Sequence, residues 1–536
     1  MFPWFDHRSR KVDHDEELPP YLPLENIEEA GEPASVDCAL YESPLEAEKP
    51  PSHPPRGLGR AAKWTLHYLH AFVPTFLRPS SREPKKLYPT SWLDGLRGIA
   101  ALLVVCHHCS LLWFSWDIHS AWKPGQKLLL IQLPLIRLLI SGKCHVAVFF
   151  AVSGYAISHK PLKLAREGHF DEVGATLSSS VFRRHTRLYM PAAVVTFVSA
   201  LMTQLGWYGR VGLPGVASPT REPPHANDLM GQLWHFAGTQ VATTDPIGQE
   251  HAQAGVRRRV QSPYDANLWT LPIEFNTSMV IFMFLVAFTR VHDRVRMAFA
   301  LALIVYFHYY FIYWALFLFL GGMLICDLHF ELEQMGWHTR PADESSTVPP
   351  MRVQARRGFV SRVWNKIKGS RVHTRVPSLA SFGLALWMLS MPEMARGGRE
   401  AAGYVTIASL VPDRYQDELI VPLGAIFLVL VVDRATYLQV LFTNRFAQYM
   451  GKISYSLYMI HGPLLWTLGS FLGQKCVGIT GEETDLMYTL GIALAALLWW
   501  PVALYVADLT YRCVDLKSVQ LARWAYEKLL KKKRYD

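Results

Sequence analysis

LDGLRGIAALLVVCHHCS, residues 93–110, decides the fold. From Gly98 to Cys106 it holds only Gly, Ala, Ile, Leu, Val and Cys, the composition of a helix that sits in lipid. Ionisable groups nevertheless stand inside it. At the centre of a spanning helix such a group costs roughly 2.5–3.5 kcal/mol, so each one is a candidate for function. Arg97 and His108 are eleven residues apart, about three turns, and share one helix face, with the histidine some 16 Å further along. Asp94, one turn before Arg97, is placed to pair with it.

Outward from this stretch the same pattern recurs. Ten apolar runs lie at roughly 97–116, 144–159, 187–206, 268–289, 297–308, 310–326, 377–392, 418–432, 453–473 and 486–508. They predict an all-α fold, a polytopic membrane helix bundle of about ten transmembrane helices. The run across 297–326 has no clear break beyond His308 and reads equally as one long tilted helix. Residues 1–90 form a polar tail without the basic start and apolar core of a signal peptide, expected to be cytoplasmic and largely disordered. A transmembrane domain follows over 91–510, with a basic cytoplasmic loop at 327–376, and residues 511–536 make a basic C-terminal tail. No appended hydrolase-like domain is expected.

Half of the 536 residues are hydrophobic and the formal charge is +10. The Lys and Arg fall mostly between apolar runs rather than in an aromatic-interleaved patch, so the charge reads as membrane orientation and not as a nucleic-acid footprint. Basic segments alternate with acidic ones such as 393–417 and 474–485, which places both termini in the cytoplasm of an integral, multi-pass membrane protein. Arg257, Arg258 and Arg259, in a long loop on the other face, are the outlier, and long loops translocate regardless of charge. Seven widely spaced cysteines make no disulfide framework, and Cys106, His107, His108 and Cys109 lack a second ligand cluster, so no metal site is assigned.

Three further runs carry buried polarity. FFAVSGYAISHK (149–160) places Ser153 and Gly154 in an apolar helix, where small residues serve close helix packing. LWTLPIEF (268–275) puts Glu274 just over a turn inside a helix entered from the outer side, and GKISYSLYMIHGPL (451–464) places His461 nine residues past Lys452. Counted from the helix edges, His108, Glu274 and His461 converge near mid-membrane. A neutral imidazole accepts a proton from a hydroxyl, and a nearby carboxylate orients it, which makes an acid–base site. Arg184 and Arg187, on one face just before a helix, suit the phosphates of a donor.

LDGLRGIAALLVV followed by His108, FFAVSGYAIS, RRHTRLYMP (183–191), LWTLPIEF and ISYSLYMIHGP stand in the order found in the acyltransferase-3 family of integral membrane acyltransferases, fungal members included. The chain resembles that family over about residues 92–508. The resemblance implies transfer of an acetyl or other short acyl group from cytoplasmic acyl-CoA, acetyl-CoA foremost, to a hydroxylated acceptor such as a glycan, glycolipid or secondary metabolite. It implies no bound cofactor beyond that donor. Carried onto matching positions, His108 resembles the family's essential histidine and Arg97 its partner arginine. Arg184 and Arg187 match the arginines of donor handling, and Glu274 and His461 match residues of later motifs. The expected site is thus His108, Glu274 and His461 for catalysis, with Arg97, Arg184, Arg187 and Ser153 for the donor. Cys106 and His107 replace bulky apolar residues of the usual pattern. A transporter of a small acidic or hydrophobic molecule, whose pathway the same buried charges would line, is the alternative.

Overall fold

The structure is a computed structural model that describes residues 87–122, 125, 127–208, 212–218, 221–245, 262–335, 371–415 and 417–530. The N-terminal tail up to 86, Arg257–Arg259, most of the basic loop and Lys531–Arg534 lie outside the described residues. Among them the fold is all-helical, with a single isolated β-bridge between Ser262 and Asp265. The longer helices are α1 (Ser91–Trp113), α2 (Gly142–Arg166), α3 (Phe170–Gln204), α4 (Leu229–Thr244), α5 (Thr270–Phe288), α6 (Asp293–Phe311), α7 (Trp314–Gln334), α8 (Arg371–Leu389), α9 (Ile420–Arg434), α10 (Thr436–Thr443), α11 (Arg445–Leu464), α12 (Ser470–Thr480), α13 (Asp485–Thr510) and α14 (Leu516–Leu529).

Every one of the ten apolar runs is helical, but length and composition qualify fewer of them as membrane spans. Among the described residues five helices are long and apolar enough, or six if α9 and α10, bent by 105°, count as one. The 297–326 run is two helices. Ile312 adopts a left-handed conformation (φ 55°) between α6 and α7, a break with neither Gly nor Pro to announce it. The basic stretch after Lys160 is mostly helical too, since α2 continues to Arg166 and α3 starts at Phe170.

Glycines set the helix spacing. On α2 a methyl added at Gly154 would strike the Phe319 carbonyl of α7, and one at Gly322 would strike the Ala151 carbonyl in return, so the two backbones touch directly. Ser153 is buried beside this contact. The α1–α11 pair uses the same device at Gly98 and Gly451. These two helices start at the same end of the bundle and run parallel, which fixes the height at which their later residues meet.

After Pro463, α11 widens into a π turn at Leu465–Gly469 before α12 continues. Backbone groups freed by such a bulge need partners at membrane depth. Indole N–H groups supply them: Trp113 donates to the Gly469 carbonyl (3.2 Å) and Trp499 to that of Leu464 (3.3 Å).

Candidate active site

The register of α1 on α11 builds the centre of the site. His108 lies ten residues beyond Gly98 and His461 ten residues beyond Gly451, so each helix climbs about 15 Å from the glycine contact to its histidine. The rings meet there, centroids 5.0 Å apart and tilted by 40°. His461 is fully buried. Its Nδ1 donates a hydrogen bond to the Tyr458 carbonyl, because a carbonyl only accepts. That tautomer leaves Nε2 with a bare lone pair, and Nε2 is buried with no partner. Tyr458 is itself anchored to Thr270 (2.7 Å) and to the Asn267 carbonyl. His108 is partly buried and makes no hydrogen bond to any described residue. Two imidazoles therefore face each other with nitrogens free for a third molecule.

His108 sits nearer one end of its helix than the sequence implies. His108 is five residues, about 7.5 Å, from the α1 terminus at Trp113, whereas the helix that carries His461 continues through the π turn to Thr480. Counting from Arg97 ignored the turn and a half of α1 that precedes it.

Glu274 lies on α5 near the same end but turns elsewhere. Its Oε1 accepts from Arg184 Nη2 at 3.0 Å, and the same nitrogen donates to Ser278 Oγ at 2.7 Å. Both charged side chains are about 95% buried, a closed pair that ties α3 to α5. The structure thus joins Glu274 to Arg184 and not to the histidines, and it withholds Arg184 from any exposed phosphate surface.

Arg97 lies toward the opposite, Ser91 end. Arg97 Nη2 pairs with Asp94 at 3.1 Å, as expected from the spacing, and donates to the Gly451 carbonyl at 3.3 Å. Arg97 and Arg187 both act electrostatically on Asp515 and Tyr511, and Lys452 stands over the Tyr511 ring at 5.2 Å. Arg97, Arg187 and Lys452 stand in this region among the carboxylates of Asp94, Asp508 and Asp515. Ser153 does not join them: its hydroxyl has no partner among the described residues and lies at the α2–α7 contact.

Asp265 and Asn267 were not singled out in the sequence. Both pack against Gly462, the residue after His461, where a methyl would collide with them. Asp265 is fully buried, its Oδ1 accepting from the Asn267 amide (3.0 Å) and its Oδ2 unpartnered. Burial pushes its carboxyl up to about 8, against the lowering effect of that amide and of Arg221. An Asp two residues before an Asn at a helix entrance reads as a plain cap, which is why it carried no signal.

Comparison with known proteins places these observations. The model of the acyltransferase-3 family, described as an acyltransferase domain, matches residues 90–506. The chain is 50% identical over 463 residues to the O-acetyltransferase PaAT-1 of Phomopsis amygdali, covering 85% of this chain and 89% of that one. It is 22% identical to the acyltransferase R4 of Phoma sp. (82% and 95% covered) and 22% identical to the acyltransferase clz18 of Cochliobolus lunatus (80% and 93%). No solved structure matches.

Proposed function

The chain belongs to the acyltransferase-3 family of enzymes, and from that premise we propose that it moves an acetyl or other short acyl group from acyl-CoA to a hydroxyl of a glycan, glycolipid or secondary metabolite inside a membrane bundle of about ten spans. The observation that carries the reading is the His108–His461 pair, with the Nε2 lone pair of His461 open and His108 unbonded opposite it. The acetyl-transfer named for the 50% identical relative favours acetyl as the group.

In this reading both termini face the cytoplasm, and acyl-CoA enters at the Ser91 end, its phosphates held by Arg97, Arg187 and Lys452. The acceptor hydroxyl gives its proton to Nε2 of His461 as its oxygen attacks the thioester carbonyl. The C–S bond then breaks, and the CoA thiolate takes up the proton, so that the products are an ester and the free thiol. A two-step variant uses His108 first: its nitrogen displaces the thiolate to give an acyl-imidazole, and the hydroxyl, deprotonated by His461, attacks that carbonyl. Glu274 acts at a distance, through the buried pair with Arg184 that fixes α5 and hence the Thr270 anchor of Tyr458.

The test is transfer of label from radiolabelled acetyl-CoA by membranes carrying the chain, with lipid, glycan and small-molecule extracts separated. Hydroxylamine-labile label in one extract supports the reading and identifies the acceptor class. Bound CoA with no labelled product in any extract contradicts it and favours transport.

A further inference from the structure

A second polar feature lies beside the histidine pair and has no role in the reaction above. His107, next in the chain to His108, donates through Nδ1 to the Ile140 carbonyl, and its ring stands 5.3 Å from that of His108 and 5.4 Å from that of His119. His107 and His119 line a small, open pocket of about 80 Å³, together with the segment before α2 and the segment after α8.

The pocket's charges are not evenly committed. Lys143 is paired with Asp417 (2.8 Å) and Glu393 (3.7 Å). Arg396 is paired with Glu393 (2.7 Å) and covers one face of Trp116 at 3.5 Å. Arg137 differs from both. It is 96% buried, makes no ion pair among the described residues, and spends only Nη2, on the His119 carbonyl at 3.2 Å. Its Nε and Nη1 are buried without partners. A buried guanidinium left this way costs several kcal/mol unless an anion completes it.

The backbone is bent to put it there. Pro134, Leu135 and Ile136 form a three-residue turn, with the Ile136 amide donating to the Pro134 carbonyl at 2.9 Å and Leu135 at φ 68°. This turn is strained for a residue with a side chain, and strain of this kind is kept where surrounding structure enforces it. Arg137 follows within two residues. Burial pushes the nearby His119 imidazole down to about 3, helped by the charges of His107, Arg396 and Arg137, so His119 adds no charge at neutral pH. Lys143 and Arg396 are paired with Glu393 and Asp417, and Glu418 also acts on Lys143, whereas Arg137 has no ion-pair partner among the described residues.

We infer that this pocket is the acceptor's subsite, and that Arg137 holds a carboxylate on the acceptor through Nε and Nη1 while the acceptor's hydroxyl reaches past His107 to His108. The inference deepens the acyl-transfer reading, on which the placement of the hydroxyl rests; the carboxylate site itself stands on Arg137 alone. It gives the substrate class as hydroxy acids. The planar fork of Arg suits a carboxylate better than the point charge of a lysine.

The test separates the two claims. The full chain, purified in detergent, is dialysed to equilibrium against radiolabelled 4-hydroxybenzoate or its neutral methyl ester, which share the ring and the hydroxyl. The acid is expected to bind at least about tenfold more tightly than the ester. Arg137→Gln should abolish that preference, Arg137→Lys should keep part of it, and Arg523→Gln at the far end of the bundle should leave it unchanged. Equal binding of acid and ester, no binding of either at millimolar concentration, or a preference that survives Arg137→Gln overturns the site. Acid-selective binding with no label passing from acetyl-CoA to the acid keeps the anion site and counts against the acyl-transfer reading.

Discussion

His108 on α1 and His461 on α11 face each other at 5.0 Å because each stands ten residues beyond a glycine, Gly98 or Gly451, at which the two parallel helices touch. The site's geometry is therefore a property of helix register. A shift of one residue on either helix would rotate its histidine by about 100° out of the pair.

That dependence is testable at the glycines. Gly98→Val places side-chain carbons on the Gly451 backbone and is expected to lower acyl transfer at least as far as loss of one histidine, although both histidines remain. Gly238→Ala, on α4 where nothing lies within reach of an added methyl, should leave activity unchanged and shift stability by no more than about 1 kcal/mol. Activity and melting temperature of the two variants, measured in parallel, check this.

The Arg184–Glu274 pair should behave as a structural unit. Removing one partner strands the other charge in the bundle, and Glu274→Ala is expected to destabilise by about 3–5 kcal/mol. The double variant Arg184→Met, Glu274→Leu should recover most of that loss. Denaturant titration in detergent measures both, and equal destabilisation of the single and double variants would contradict a pairing role.

Asp265 gives a pH signature. Its folded carboxyl is raised to about 8, whereas in an unfolded chain it titrates near 3.9. As pH rises between those values the unfolded chain gives up a proton that the folded chain keeps, so this group's contribution falls steadily with pH and levels off above about 8. Asp265→Asn removes the proton difference. Melting temperatures between pH 5 and 8 should decline less in the variant than in the natural chain, and parallel curves would show that Asp265 does not hold its proton on folding.

The histidines, the arginine on α1 and the apolar runs were legible in the sequence because lipid makes each ionisable residue conspicuous. Partnership was not. Arg184 and Arg187 look alike by spacing, yet Arg184 is buried against Glu274 while Arg187 acts on Asp515 and Tyr511. Glu274 looked like the histidines' carboxylate from its depth alone, and depth does not fix the direction a side chain faces. The break at Ile312 had no signal because neither Gly nor Pro marks it, although His308 before it packs on Phe317 of α7 and on Tyr415. Arg137 and Asp265 stayed hidden because each lies in a connection between the long helices, Arg137 in a short 3-10 turn and Asp265 at the cap of another, where a charged residue needs no explanation until its burial is known.

The most direct measurement is acyl transfer by the natural chain, His108→Ala and His461→Ala at matched protein levels, with binding of acetyl-CoA measured on the same samples. The account expects both variants to bind the donor as the natural chain does and to lose about 10²–10⁴-fold in turnover, the usual share of a positioned proton acceptor. Turnover that persists in either variant with donor binding intact would contradict an active site built on the His108–His461 pair.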